Sequence, residues 1–264
     1  MKVNVYNDTQ SIDLEFIQNS YEILDWDSNF FAFKVCKIKA NNLTDAELEA
    51  VLAYLSATEV ELIYYSSERE ISAKAKKSDY FQIKLVDKKT TLVKNITKNN
   101  FENNLIEPYK EKLPDTELIK LAIQSGVYSR FNVDEKIGKQ KFEELYSLLL
   151  INSLKKEIAQ EVLLIRNETE ITGFITLGEK NQRADIGLIA VDTNYRGKGM
   201  GKLLMQAAEY WFYDKGYNQI QVVTQYDNPP AIFLYKSCGY EIEKIEYFYH
   251  CWNNKKIKAY KWNR

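Results

Sequence analysis

The sequence has very little cysteine and histidine, and this scarcity limits the chemistry open to it. Its three cysteines, Cys36, Cys238 and Cys251, are an odd number at no metal-ligand spacing. This favours reduced thiols in a cytoplasmic protein over a disulfide framework. His250 is the only histidine among 264 residues. A two-histidine metal site is therefore excluded, Ser–His or Cys–His nucleophilic catalysis is disfavoured, and no bound metal is expected.

The sequence also lacks an excess of one charge and a long apolar run. Lys and Arg together number 36 against 37 for Asp and Glu, which leaves a net charge of −1. The basic excess expected of a nucleic-acid-binding protein is therefore missing. No hydrophobic run approaches the roughly 20 residues of a membrane span, and residues 1–8 lack the apolar core of a signal peptide. We expect a cytoplasmic protein with neither a nucleic-acid nor a membrane partner.

The order of helix and strand signals predicts an α/β protein with a mixed sheet and two domains. Residues 1–100 predict a smaller α/β domain of the order β-α-β-α-β, for which parallel strand pairing is usual. Residues 101–114 are polar and predict a linker. Residues 115–264 predict the order α-α-β-β-β-α-β-α-β-β. Within the first domain, Thr44 and Glu47 form a capping box at the start of an amphipathic helix.

Several local predictions are specific enough to be compared with a structure. Residues 24–31 predict an aromatic turn, and residues 81–86 and 90–96 two separate β segments. Residues 135–159 predict one long helix. Residues 240–252 and 257–262 predict a hairpin.

The most informative segment runs from Leu188 to Leu204. Its sequence predicts an apolar strand, a polar turn with three glycines and the start of a helix. Arg196, Gly199 and Gly201 fit the pattern Gln/Arg-x-x-Gly-x-Gly/Ala. Neither the dinucleotide-binding fingerprint nor the P-loop is present. Taken alone, the pattern is also compatible with an ordinary strand-to-helix turn.

The same stretch has the chemistry of an anion site. Glycine lets the backbone come close to a bulky ligand, and the N–H groups of a helix N-terminus bind phosphate. Arg196, Lys198 and Lys202 add full positive charges around it.

A second segment, from Asn228 to Tyr240, follows at a fixed distance. Asn228 can donate to and accept from an amide-rich ligand, and the Tyr235 phenol can protonate a departing thiolate. Alternatively, Asn228 is only a helix cap, and Tyr235 is one of 19 tyrosines packed in the core.

Together these two segments resemble the GNAT superfamily of N-acetyltransferases. The resemblance implies the GNAT acyl-CoA N-acyltransferase fold in the C-terminal domain, acetyl-CoA as the donor, direct attack by an amine without a covalent enzyme intermediate, and a possible homodimer. It implies that Tyr235 is the general acid. It also implies the following cofactor-binding residues: Ile189, Ala190, Val191, Arg196, Gly197, Lys198, Gly199, Met200, Gly201, Asn228 and Tyr235.

The general base is less clearly indicated. Asp185 stands where some superfamily members carry a glutamate base, although an aspartate at a strand start is usually solvated. Tyr247, Tyr249 and His250 lie on a later strand, where packing is the safer interpretation. A proton relayed through water, with no single residue responsible, is an equal alternative.

Three short patches resemble superfamily members that acetylate a TDP-linked amino sugar: residues 24–31, 129–131 and 224–225. They imply substrate contacts from Arg130, Phe31 and Gln225, with the 4-amino group of a TDP-4-amino-4,6-dideoxyhexose as the acceptor, for surface-polysaccharide biosynthesis. The guanidinium of Arg130 suits a diphosphate, but it can equally bond a carboxylate. The rival interpretations are a GNAT that acetylates a protein N-terminus, a lysine or a polyamine, and an acetyl-CoA-binding sensor without turnover.

Overall fold

The computed structural model describes residues 12–98, 101 and 104–255. The chain divides into two compact units. One comprises Met1–Lys88 and Glu246–Arg264, and the other Lys89–Ile245. This division differs from the predicted linker at 101–114, because the chain passes from one unit to the other within two strands. The last strand among the described residues therefore contributes to the first unit.

The first unit is a small sheet covered by helices. Its elements are α1 (Leu14–Asn19), β1 (Tyr21–Ile23), α2 (Asp25–Phe31), β2 (Lys34–Ile38), α3 (Asp45–Ser56), β3 (Val60–Ser67) and the parts of β4 (Phe81–Asn95) and β10 (Glu241–Asn253) that belong to it. The predicted parallel pairing is confirmed between β2 and β3. β1 is antiparallel to β2, and the end of β10 is antiparallel to β3.

Two features of the first unit test the local predictions. The capping box is present, because Thr44 accepts a hydrogen bond from the backbone N–H of Glu47 and the Glu47 side chain accepts from that of Thr44. The prediction of a turn at residues 24–31 is wrong, since seven of these residues form α2. Asp25 and Asp27 in the first turn of α2 interact favourably with the positive end of the helix dipole. The helix ends at Ala32, which has a φ of 62°.

Among the described residues, the second unit has six neighbouring strands, a short part of β10 and helices on both faces of the sheet. Besides its parts of β4 and β10, its elements are β5 (Ile106–Pro108), α4 (Thr116–Ser125), α5 (Arg130–Val133), α6 (Lys139–Leu154), β6 (Glu161–Asn167), β7 (Glu170–Lys180), β8 (Arg183–Val191), α7 (Met200–Asp214), β9 (Gln219–Gln225) and α8 (Pro229–Ser237). The strand order is β4-β9-β8-β7-β6-β5. Only β8 and β9 are parallel in this unit's described sheet.

The alternation of side chains along the strands builds two cores. Leu163, Ile165 and Ile175 face one side, where α7 packs against them. Leu164 and Phe174 face the other, where α4 and α6 pack. A sheet buried on both faces has few polar positions at its centre, so a site is expected at its edges or ends.

Three local predictions for the later chain need correction or fall outside the description. The β segments at 81–86 and 90–96 are one strand, β4. The predicted helix 135–159 is shorter, because it begins after Gly138 at a φ of 80° and ends at Leu154, close to Lys156 at a φ of 63°. The predicted strand 257–262 lies outside the described residues. In the part of the chain that is described, no helix is both long and apolar enough to cross a membrane.

Candidate active site

The two parallel strands of the second unit separate after three residue pairs. Their register joins Ala184 to Ile220, Asp185 to Gln221 and Ile186 to Val222. Both strands continue beyond this point, β8 to Val191 and β9 to Gln225, with no further pairing between them among the described residues. A wedge therefore opens at the carboxyl ends of the two strands.

A β-bulge in β8 explains why the strands part. Across β7, Leu177 pairs with Ile186 and Ile175 with Ile189, so the single residue Thr176 faces two residues of β8. The Thr176 hydroxyl accepts a hydrogen bond of 2.8 Å from the N–H of Leu188. Such an extra residue bends the bulged strand, and the pairing of β8 with β9 ends at Ile186, the residue before the bulge.

Glycine is needed at the first bulge position. A Cβ on Gly187 would lie 2.7 Å from the Thr176 hydroxyl oxygen. This distance is shorter than a normal contact, so a side chain would displace the hydroxyl that holds the bulge. Gly187 was not singled out by sequence reasoning, because its role depends on the register across β7.

The wedge contains a cavity of about 640 Å³, which we call the cleft. Backbone and side chains from β8, β9, the glycine loop, α8 and the end of α4 surround it. The cleft is lined by Gln124, Ser125, Val127, Tyr128, Tyr146, Gly187, Leu188, Ile189, Ala190, Val191, Tyr195, Arg196, Gly197, Gly199, Met200, Gly201, Lys202, Val223, Thr224, Gln225, Asn228, Pro230, Ala231, Phe233, Leu234, Tyr235 and Ser237.

The charge of this lining is entirely positive. Among the described residues that line the cleft, only Arg196 and Lys202 carry full charges, and none is an aspartate or glutamate. Positive groups in a concave site raise the local concentration of anions. The described part of the chain also contains no group of His, Cys, Asp or Glu side chains suited to holding a metal ion.

The glycine loop has the backbone that an anion site requires. Gly197 and Gly199 have φ angles of 75° and 81°, and a Cβ at either would meet no atom within 4 Å, so the loop is open. Gly199 is also the N-cap of α7. Gly201 serves packing instead, since its Cβ would lie 3.2 Å from a methyl group of Leu234 in α8.

The cations of the loop differ in their surroundings. The Arg196 Nε donates a hydrogen bond of 3.1 Å to the carbonyl oxygen of Val191. The Lys198 ammonium lies 4.9 Å from the centre of the Tyr195 ring, and Lys198 is not one of the residues that line the cleft. Lys202 lines it from the first turn of α7.

Asn228 is both a helix cap and a cleft residue. Its side-chain oxygen accepts from the N–H of Ala231 at 3.3 Å, and its amide donates to the Thr224 hydroxyl at 3.3 Å. The two interpretations made from the sequence are therefore compatible, because a cap at this place also faces the cleft.

Tyr235 lines the cleft from α8 while its side chain is only 3% exposed. Burial raises the pKa of this phenol well above its ordinary value. Its hydroxyl has no hydrogen-bond partner within the described residues. At neutral pH it therefore holds a proton that no neighbouring protein group takes up.

Asp185 lies outside the cleft lining, two positions before it begins on β8. Its carboxylate accepts a hydrogen bond of 2.7 Å from the Gln221 side chain. Burial raises the pKa of Asp185, and this hydrogen bond partly offsets the rise. Gln221 in turn accepts from Arg183 at 3.3 Å, and Arg183 forms an ion pair of 2.9 Å with Glu243.

Of the three predicted acceptor residues, Gln225 and Arg130 belong to the second unit and Phe31 to the first. Gln225 lines the cleft. Arg130 does not, and its guanidinium lies 4.7 Å from the centre of the Phe131 ring. Phe31 belongs to the first unit, where it is buried and packs on the rings of Phe30 and Phe33.

Some cleft residues were not anticipated. Gln124, Ser125, Val127, Tyr128 and Tyr146 form one wall, contributed by the end of α4, the following loop and α6. The helix end at this place was predicted from the sequence. The packing of α4 beside the end of β8 was not, because it joins residues far apart in the chain.

Comparison with known proteins finds relatives for the part of the chain that holds the cleft. The model of the acetyltransferase (GNAT) family matches residues 128–240. The uncharacterized N-acetyltransferase YvbK of Bacillus subtilis is 30% identical over 120 residues, which cover 42% of this chain and 77% of that protein. The dTDP-fucosamine acetyltransferase of Escherichia coli is 31% identical over 105 residues, which cover 39% of this chain and 44% of the relative. The chain thus spans less than half the length of this last relative.

Solved structures agree on the fold. A crystal structure assigned to the GNAT family from Novosphingobium aromaticivorans matches with a TM-score of 0.52 at 13% identity. The match covers 78% of this chain and 80% of the other. At such low identity it supports the fold and nothing finer.

Proposed function

The chain belongs to the acetyltransferase (GNAT) family, and on this basis we propose that it transfers the acetyl group of acetyl-CoA to the amine of a nucleotide-linked amino sugar. One observation carries the proposal: the cleft between β8 and β9 joins an open glycine loop to a lining in which the charged side chains that the structure describes are all positive. Such a site suits two ligands that each bring a diphosphate.

The residues present fit acetyl-CoA. Gly197 and Gly199 leave the loop open to a bulky anion, next to the cations Arg196 and Lys202. We propose that residues 196–201 hold the pyrophosphate, with Lys198 joining from the loop. Asn228 and the backbone of residues 189–191 would hold the pantetheine arm. When bound there, acetyl-CoA supplies an acetyl group already activated as a thioester.

Tyr235 is proposed as the proton donor. Tyr235 lines the cleft and keeps its phenol proton at neutral pH, because burial raises the pKa of the phenol. A phenol in this state cannot serve as a base, but it can protonate a sulfur atom that develops negative charge.

The acceptor amine must lose a proton before it attacks. No carboxylate lines the cleft within the described residues, so we propose that water accepts this proton. Asp185, the predicted base, is at most an indirect partner. It lies two residues before the first cleft residue of β8, and its carboxylate is already hydrogen-bonded to Gln221.

The acceptor is proposed to be the 4-amino group of a TDP-4-amino-4,6-dideoxyhexose. The positive lining disfavours a polyamine, which would need carboxylates around its several ammonium groups. The likeness to a dTDP-fucosamine acetyltransferase supports a TDP-linked sugar. Gln225 lines the cleft and offers an amide to such a ligand. Contacts from Arg130 and Phe31 remain predictions.

The test is thiol release from acetyl-CoA, measured with TDP-4-amino-4,6-dideoxygalactose, with spermidine and with a lysine peptide. We expect release with the sugar nucleotide alone. Release with the peptide or polyamine instead would overturn the acceptor and leave acetyl transfer standing.

Calorimetric titration with CoA separates the remaining alternatives. Binding of CoA without turnover of any acceptor would favour a non-catalytic sensor. Absence of both binding and turnover would contradict the proposed function altogether.

A further inference from the structure

The carbonyl oxygen of Val191 receives two hydrogen bonds from different elements. Gln124, next to the last residue of α4, donates through Nε2 at 2.7 Å. Arg196, just before the first loop glycine, donates through Nε at 3.1 Å. All three residues line the cleft. One acceptor therefore connects α4 to the loop.

The two donors are not equivalent. Gln124 is neutral, partly buried and the closer of the two. Arg196 is exposed and carries a full charge. A guanidinium bonds an anion more strongly than a neutral carbonyl. An anion in the glycine loop would therefore compete with Val191 for the Arg196 guanidinium, whereas the neutral Gln124 side chain would not respond to its charge.

The carbonyl needs a partner in both states. Val191 is partly buried, and a backbone carbonyl group that loses its hydrogen-bond partners away from bulk water costs free energy. With Gln124 in place, release of Arg196 leaves one hydrogen bond on Val191. Without it, the same release would leave neither of these two side-chain donors on the carbonyl.

We propose that Gln124 is a positioning residue for binding of acyl-CoA: it keeps the Val191 carbonyl paired when Arg196 turns to the pyrophosphate. The inference rests on the proposed function for one point only, namely that the loop binds the pyrophosphate of CoA. It adds a residue from α4, outside the glycine loop, to the groups that determine the affinity for CoA.

A double-mutant cycle tests the inference, with the dissociation constant of CoA measured by calorimetry. Gln124→Met keeps the length of the side chain and removes the donor. In the wild-type background we expect it to weaken CoA binding about fivefold, the factor that corresponds to one net hydrogen bond. In the Arg196→Ala background we expect Gln124→Met to leave the affinity for CoA unchanged. The arginine side chain is then missing, so the Val191 carbonyl has no bond from it in either the free or the bound state.

The cycle distinguishes positioning from a general structural role. The same loss of affinity in both backgrounds, or no loss in either, would overturn the inference. Gln124→Leu repeats the measurement if the methionine variant fails to fold, as judged by thermal unfolding. Gln160→Met is the matched control, since Gln160 is exposed, lies outside the cleft lining and its side chain donates a long bond of 3.4 Å to Tyr217. If wild-type protein fails to bind CoA, the proposed function itself fails, and this outcome is distinct from an unaffected Gln124 variant.

Discussion

Replacing Tyr235, which lines the cleft, by phenylalanine removes only the phenol oxygen and leaves the packing of the ring in place. The hydroxyl has no hydrogen-bond partner among the described residues, so its loss breaks no bond in the folded protein. We therefore expect the free energy of unfolding to change by less than about 0.5 kcal/mol. The affinity for CoA should also stay nearly the same.

Turnover should respond very differently. If the phenol protonates the leaving thiolate, its removal should lower kcat about 100-fold, the low end of what general acid catalysis contributes. An acid is active only while it holds its proton, and activity is lost as pH rises through its pKa. Because burial raises the pKa of Tyr235 above the ordinary value of about 10, the wild-type rate should show no decline due to this group up to about pH 10.

The matched control is Tyr240→Phe. Tyr240 is also buried, and its ring lies 6.3 Å from that of Tyr235, but it does not line the cleft. We expect it to retain turnover. The assay is thiol release under saturating acetyl-CoA and acceptor, with calorimetry for CoA and denaturant unfolding for stability. Equal turnover of wild type and Tyr235→Phe would refute the acid role, and an equal loss in both variants would show that the effect is structural.

Three further substitutions have outcomes that follow from the described contacts. Burial raises the folded-state pKa of Asp185, so the free energy of unfolding of the wild type should fall as pH rises from about 4 through this raised pKa. Asp185→Asn should remove this fall. The same pH dependence of denaturant unfolding in both proteins would contradict the prediction. Lys94→Met leaves Glu209, whose side chain is 8% exposed, without the cation that lies 2.7 Å away. It should cost about 2 kcal/mol of unfolding free energy, less than for a fully buried pair because Lys94 is partly exposed, and an unchanged denaturation midpoint would count against a stabilising pair. Gly187→Ala should weaken CoA binding in calorimetry about fivefold by displacing the Thr176 hydroxyl from its bond to the bulge, whereas unchanged affinity would show that the bulge does not shape the cleft.

Features that depend on neighbouring residues were predictable from the sequence. The capping box of Thr44 and Glu47 and the helix start at Asn228 rest on contacts three residues apart. The glycine loop is equally local, and the structure has the open backbone that its pattern indicated.

Features that depend on distant pairing were not predictable. The end of β10 pairs with β3, where Tyr247 lies opposite Ser67, and no local periodicity records this. The unit boundary therefore differs from the predicted linker. The bulge at Gly187 and the bond from Gln124 to Val191, 67 residues apart, arise in the same way from register and packing.

The positive lining of the cleft connects the choice of acceptor with the route of its proton. A lysine side chain has a pKa of about 10.4, so almost all of it is protonated at neutral pH. Arg196 and Lys202 are the full charges of the described lining. An ammonium that enters this site meets repulsion, and no carboxylate in the described lining relieves it. An acceptor that brings its own negative charge is attracted by the same cations. If its amine is also less basic than lysine, a larger fraction arrives already deprotonated, and the site can operate without a carboxylate base beside the amine. The charge pattern of the cleft therefore favours an anionic amino sugar and a proton lost to water as two consequences of one feature.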